Sequence, residues 1–182
     1  LRDNIIRWGG GNSLVTRNDP SAFKVLPGFF DIILADVPCS GEGMFRDKIA
    51  VDEWSVKNTL LCSERQKRII ADVWPALRPD GILIYSTCTF NPAENEENIK
   101  WITETEDAVS VPLDINGPEG IAVINYKGIT GYAFYPDATR GEGFFISVLR
   151  KKEGPGRRRS GSYARKASEV RNDDRKVIEK WT

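Results

Sequence analysis

The segment FFDIILADVPCSGEG, residues 29–43, begins as a near-continuous apolar run and ends in an acid, a proline, a cysteine and two glycines. An apolar run of that length closed by turn residues is what a parallel strand covered on both faces requires. A second segment, ILIYSTCTFNPAENE at residues 82–96, repeats the pattern with another cysteine. Between them, Ser63 and Gln66 stand in capping-box spacing, Ile69, Ile70, Val73, Trp74 and Leu77 mark a buried helix face, and RPDG at 78–81 marks its stop. Beyond Cys88, Asn91, Pro92 and Glu94 predict the cap, first-turn proline and first-turn acid of a second helix running to about Ile102.

The order strand, helix, strand, helix predicts an α/β fold with a doubly wound parallel sheet, whose ligands sit at the carboxyl ends of the strands. Upstream, LRDNIIRWGGGNSLVT at 1–16 reads as a helix end, a glycine turn and a strand from Ser13 to Thr16. GGGN at 9–12 leads into that strand rather than into a helix N-terminus, so it reads as a turn and not as a phosphate or cofactor loop. Downstream, EGIAVIN at 119–125 and GFFISVLRK at 143–151 suit two further strands, with an antiparallel pairing at one edge as one arrangement. Two short GEG turns, at 41–43 and 141–143, carry no weight in this reading.

A chain of 182 residues with 40% hydrophobic content supports one domain with a real core. Its apolar runs are shorter than ten residues, so no bilayer span and no signal peptide are expected, and the cytoplasm is the expected compartment. Three cysteines at 39, 62 and 88 make neither a disulfide framework nor paired zinc spacing, which fits free thiols in a reducing environment. The chain has no histidine, which removes Cys-His hydrolases, histidine general bases and most catalytic zinc sites. The balanced total charge hides a division: residues 150–182 carry 12 Lys+Arg against 5 Asp+Glu, a net of +7, and the remainder carries −7. The basic stretch is too polar to bury a core, and it suits either phosphate attraction or a solvated linker. We therefore divide the chain into a domain at 1–152 and a basic linker or tail at 153–182.

With the two strands as sheet neighbours, Asp36, Cys39 and Cys88 emerge at one edge. Cys62, inside its helix, reads as a small buried hydrophobe. Cys39 and Cys88 lie among Pro, Ser, Gly and Thr, where apolar packing does not select them. Two thiols and a carboxylate, without histidine or metal, suit an electrophilic ring carbon that needs temporary activation. Cytosine carbon 5 is such a centre: it becomes nucleophilic only after a thiolate adds at carbon 6, while a carboxyl group stabilises the charge displaced to N3 and a second base removes the carbon 5 proton. This chemistry alone does not rank the cysteines.

DVPCSGEGMFRD at 36–47 and YSTCTFNPAENE at 85–96 resemble the two signature motifs of the Nop2/Sun RNA 5-methylcytosine methyltransferases, and RWGGGNSLVTRNDP at 7–20 with GEGFFISVLRK at 141–151 resembles their bacterial small-subunit ribosomal RNA branch. The likeness runs from Leu1 to about Lys152, which makes 1–152 a partial catalytic domain. It implies a Rossmann-like class I methyltransferase sheet, S-adenosylmethionine as cofactor and small-subunit ribosomal RNA as partner. It also implies Cys88 as nucleophile, Cys39 as the residue for product release and Asp36 as the carboxylate at the base. Asp19 would lie near the adenine, and Asp36 and Pro38 would line the methionine side. DNA cytosine methyltransferases carry their nucleophile in a Pro-Cys motif like that of Cys39, so the order of the two thiols rests on the family likeness. The family's first strands and glycine-rich cofactor loop are not found in these residues. From this we expect a chain that is inactive alone and self-associates through exposed sheet edges. Two other readings stay open: a noncatalytic RNA-binding module, supported by the basic tail, and an amino methyltransferase, whose Asp-Pro-Pro-aromatic motif DVPC only partly matches.

Overall fold

The computed structural model describes residues 2–115 and 120–153. The basic segment from residue 154 onward, with the expected tail or linker, lies outside the described residues. Helix α1 (Arg2–Trp8) is followed by strand β1 (Phe30–Asp36), helices α2 (Lys48–Glu53) and α3 (Val56–Val73), strand β2 (Leu77–Thr87) and helix α4 (Glu96–Thr105). Strands β3 (Ala108–Ser110), β4 (Ile121–Tyr126), β5 (Ile129–Phe134) and β6 (Phe144–Lys151) complete a six-stranded sheet of order β1-β2-β6-β5-β4, with β3 on β6. No helix among the described residues is long and apolar enough to cross a membrane.

The α/β class stands, but the sheet is mixed. Only β1 and β2 run parallel; β6 joins β2 antiparallel, and β3 and β5 join β6 the same way. The two C-terminal strands read from the sequence, β4 and β6, do not pair with each other, because β5 lies between them. Its segment ITGYAF closes a hairpin with β4 through Lys127 and Gly128, both at positive φ, a two-residue turn that matches strand twist.

One core cluster joins Ala35 of β1, Leu83 and Tyr85 of β2, Phe145 and Leu149 of β6, Ile70 of α3, and Ile99 and Ile102 of α4. The expectation that β1 is covered on both faces is corrected. Ala35 faces the core, whereas Ile32 and Leu34 on the opposite face are 60% and 64% exposed, because α3 and α4 contribute only to the other side. β1 is also a sheet edge among the described residues.

Several local expectations are corrected with it. Residues 13–16 form no strand; Leu14 is exposed and no neighbouring strand offers its backbone a ladder. Helix α3 starts at Val56 with Ser55 as its cap, the Ser55 hydroxyl accepting the Asn58 N–H at 3.1 Å, so Ser63 and Gln66 lie inside the helix and are spent on tertiary contacts. The helix yields at Trp74-Pro75, ahead of RPDG, which instead forms an irregularity within β2. There the pairing jumps from Phe30↔Leu77 to Ile32↔Ile82, with Asp80 at φ 59°. Asn91 does cap, its Oδ1 accepting the Ala93 N–H at 3.0 Å, but it caps a turn that precedes α4.

At the junction from α3 into β2 the Trp74 carbonyl accepts the Leu77 N–H in a short turn. Lys151, at the end of β6, donates to the Trp74 and Leu77 carbonyls at 2.8 and 2.9 Å and sits 5.2 Å from the centre of the Trp74 ring. A cation at carbonyls on and just past a helix C-terminus serves both hydrogen bonding and the helix dipole. Lys151→Met keeps the aliphatic stem but removes the charged donor from both carbonyls, of which that of Trp74 keeps the Leu77 N–H. It should lower stability by about 2 kcal/mol, measured as a lower urea midpoint at unchanged denaturant slope.

Candidate active site

Parallel pairing sets Asp36 opposite Ser86 at the carboxyl ends of β1 and β2. The Val37 N–H donates to the Ser86 carbonyl at 3.1 Å, prolonging the ladder by one residue before Pro38, which has no N–H, turns the chain aside. The two exits therefore leave side by side. Cys39 Sγ lies 3.0 Å from Cys88 Sγ, and the Cys88 backbone N–H donates to Cys39 Sγ at 3.2 Å. Asp36 accepts from the Ser86 hydroxyl at 3.0 Å. The structure thus brings together all three residues expected at this edge. Cys62, half-buried on α3, joins no hydrogen bond to the pair and has Asn58 Oδ1 3.9 Å away.

The two thiols are not equivalent. The hydrogen bond from Cys39 stabilises a Cys88 thiolate and lowers the Cys88 pKa to about 7, although burial and the charges of Asp36 and Glu94 oppose it. The same hydrogen bond, followed by burial, pushes the Cys39 thiol up. One sulfur is held as proton donor and its neighbour is left poised to ionise near neutrality.

Sequence reasoning missed the residues that hold the two loops together. Glu94 is buried, its Oε2 accepting from the Ser40 N–H at 3.0 Å and from Gln66 Nε2 at 2.8 Å. Gln66 also donates to the Pro38 carbonyl at 2.9 Å and accepts from Tyr85 OH and Asn98 Nδ2 at 3.0 and 2.7 Å. Ser40 and Thr89, each next to one of the two cysteines, share a hydroxyl contact at 3.1 Å. Glu42 accepts from Trp54 Nε1, the Phe90 N–H and Asn91 Nδ2 at 3.0, 3.2 and 3.2 Å, so the loop after β1 grips the loop after β2.

The GEG turns that carried no weight turn out to meet. The Gly43 N–H donates to the Cys88 carbonyl at 2.9 Å, and the Gly143 N–H donates to the Gly43 carbonyl at 3.0 Å. A Cβ on Gly43 would lie 2.4 Å from the Gly143 carbonyl oxygen, so these backbones approach closer than any other residue allows. The signal was present in the sequence as the repeated tripeptide. Only the fold shows that its copies cross beside Cys88.

Asp19 and Pro38, the two remaining expected residues, line one open cleft of about 620 Å³ together with Arg17, Arg65, Arg68 and Ile69. Asp19 caps the short turn at 20–25, accepting from the Ser21 N–H and hydroxyl at 3.0 and 2.6 Å, and these bonds hold its carboxyl below the usual range. Asp36 is two residues before Pro38 but belongs to the thiol side of the edge. Among the described residues no group of three or more His, Cys, Asp or Glu converges as a metal site requires.

The sequence model of the family described as 16S rRNA methyltransferase RsmB/F matches residues 1–150. Ribosomal RNA small subunit methyltransferase F of Salmonella agona is 41% identical over 155 residues, covering 83% of this chain and 32% of the relative, and that of Salmonella arizonae is 39% identical over the same span. The chain spans about a third of the length of these curated relatives. Among solved structures, NSun6 from Pyrococcus horikoshii with SFG superposes at a TM-score of 0.70 with 28% identity, over 84% of this chain and 38% of that one. A methyltransferase homolog protein from the same organism gives 0.66 with 31% identity, over 82% and 48%. The sheet is therefore that of the Rossmann-like class I methyltransferases.

If the Cys39 thiol holds down the Cys88 pKa, Cys39→Ala must raise it, so the thiolate fraction at neutral pH falls. Iodoacetamide labelling of Cys88, resolved from Cys62 by peptide mass spectrometry, should be half-maximal at about pH 7 in the wild type. In Cys39→Ala that midpoint should move up toward the ordinary thiol value of about 8.5.

Proposed function

Since the chain belongs to the 16S rRNA methyltransferase RsmB/F family, we propose that its parent protein methylates carbon 5 of a cytosine in small-subunit ribosomal RNA through a covalent adduct on Cys88. The observation that carries this reading is the Cys39–Cys88 pair, 3.0 Å apart beyond the ends of parallel strands, with Asp36 on the same edge. S-adenosylmethionine is the cofactor to which the methyltransferase family and the SFG-bound neighbour point. The residues present suit it: Asp19 and Pro38 line the open cleft, and Asp36, two residues before Pro38, is hydrogen bonded to Ser86 on the thiol side of the same strand end. When bound, it supplies an electrophilic methyl group.

The chain's own groups have three tasks. Cys88, the sulfur with the lowered pKa, adds as thiolate to carbon 6 of the ring, and the electron pair of the 5,6 double bond becomes available at carbon 5. Asp36 stabilises the charge displaced to N3 through a hydrogen bond there. After carbon 5 has taken the methyl group, Cys39 takes the carbon 5 proton, the double bond reforms and the Cys88–carbon 6 bond breaks to return the thiolate. Cys39 bears its proton in the resting pair, so it must first lose that proton to solvent once Cys88 is bound to the ring. Bonding of Cys88 to the ring removes the hydrogen bond that pushes the Cys39 thiol up in the resting pair, which eases that loss and leaves a thiolate base for the step. The open β1 edge with exposed Ile32 and Leu34 further supports self-association of the 182-residue chain, which sizing at two concentrations tests.

The parent enzyme, incubated with S-adenosylmethionine and ribosomal RNA containing 5-fluorocytosine, should form a denaturation-resistant adduct, because fluorine cannot leave as a proton does. Cys88→Ala should abolish adduct and methylation together. Cys39→Ala should accumulate adduct on ordinary RNA. Reversed phenotypes would exchange the two roles, and RNA binding with no adduct in any variant would favour a noncatalytic RNA-binding module.

A further inference from the structure

Glu94 is a carboxylate with 0% exposure in the turn before α4, and it uses only one of its oxygens. Oε2 takes both hydrogen bonds, from the Ser40 N–H and from Gln66 Nε2, while Oε1 has no partner. Ser40 immediately follows Cys39, so a side chain six residues beyond Cys88 holds the backbone amide adjoining the other thiol. The position of Glu94 is itself fixed, because its carbonyl accepts from Tyr85 OH at 2.6 Å and Tyr85 lies within β2.

A buried carboxylate with one oxygen idle does not pay its desolvation cost through ion pairing, since no cation is among its partners. Burial accordingly pushes its pKa up, which favours the neutral acid. What the site requires is reach and an acceptor oxygen. We propose that Glu94 is the positioning residue that seats Cys39 against Cys88, and that it acts through the placement of a single acceptor oxygen rather than through its charge. The inference deepens the reading of the pair as catalytic and rests on it for any consequence in methylation. The seating of the thiols can be measured without it.

The other titratable groups facing this assembly are Asp36 at the end of β1, Glu42 on the following loop, Tyr85 on β2 and Cys62 on α3. None of them touches the Ser40 amide, so none substitutes for Glu94 in holding Cys39.

The test uses the 182-residue chain, with the pH midpoint of Cys88 labelling by iodoacetamide as readout. Glu94→Asp keeps the charge but withdraws the carboxylate by one methylene, and it should raise the midpoint by about one unit, equivalent to a tenfold change in the thiol equilibrium. Glu94→Gln removes the charge, keeps an acceptor at the same reach and places its NH₂ where Oε1 is idle; it should hold the midpoint within about 0.3 units of wild type. A purely structural role would leave both midpoints at the wild-type value. A midpoint in Glu94→Gln that leaves the wild-type range, downward through loss of the negative charge that opposes the Cys88 thiolate or upward through a weakened hold on Ser40, would assign the effect to charge; any of these results overturns the proposal. Amide hydrogen exchange supplies a second measurement should Glu94→Asp not fold: the Ser40 amide should be protected in wild type and in Glu94→Gln, and rapid Ser40 exchange in the folded wild type would overturn the proposal by itself. If the parent enzyme forms no adduct but these midpoints hold, only the catalytic reading fails.

Discussion

Parallel register between β1 and β2 is the constraint from which the site follows. Strands that run the same way deliver both chain exits to one edge, and the Asp36↔Ser86 alignment makes those exits level. An antiparallel pair would have sent Cys39 and Cys88 to opposite ends of the sheet. Parallel strands need a crossover, and here the crossover holds α3, whose Gln66 returns to contact the loops that the strands emit. The same segment that makes the topology feasible therefore supplies part of the site's support.

That support is polar and buried, which is costly unless nearly every group is paired. Gln66, Tyr85, Asn98, Ser63, Asn95 and Thr87 meet the condition through one another and through backbone carbonyls. An apolar core would tolerate small shifts of either loop with little change in energy. A network of directional bonds does not, and two sulfurs held 3.0 Å apart need that rigidity. Glycine contributes in the opposite way, by absence: the Gly43–Gly143 crossing lets the β6 approach lie backbone to backbone against the loop after β1, whose Gly43 N–H in turn reaches the Cys88 carbonyl.

The two faces of the sheet near the site differ in kind. Toward α3 and α4 lies the main core, with Ile70, Leu83, Tyr85 and Phe145 fully buried. On the other side β1 shows Ile32 and Leu34, and Phe29 just ahead of the strand is also exposed. The open cleft beside Asp19 and Pro38, by contrast, is ringed by Arg17, Arg65 and Arg68, none of which makes an ion pair among the described residues. Its positive wall sits within a stretch whose formal charge is negative overall, so regional net charge is a poor guide to the charge of this cleft.

Apolar periodicity and turn chemistry in the sequence by themselves determined β1, β2, the helix between them and the position of each cysteine just past a strand. Those features depend on neighbours in the chain, and local propensity encodes them. The motif likeness pointed to the same residues, Asp36, Cys39 and Cys88, and the fold gathers all three. What only tertiary structure decided depends on partners distant in sequence. Ser63 and Gln66 look like a helix start because capping and buried hydrogen bonding use the same residue types, and only the approach of Ala93, Glu94 and Asn98 shows which use applies. Leu14 and Val15 have strand-forming side chains, yet no strand forms without a neighbouring ladder to accept their backbone. Glu94 reads locally as a first-turn acid; its burial against Ser40, and the unequal acidity of two thiols that the sequence alone could not rank, arise from distances between loops that no local pattern specifies.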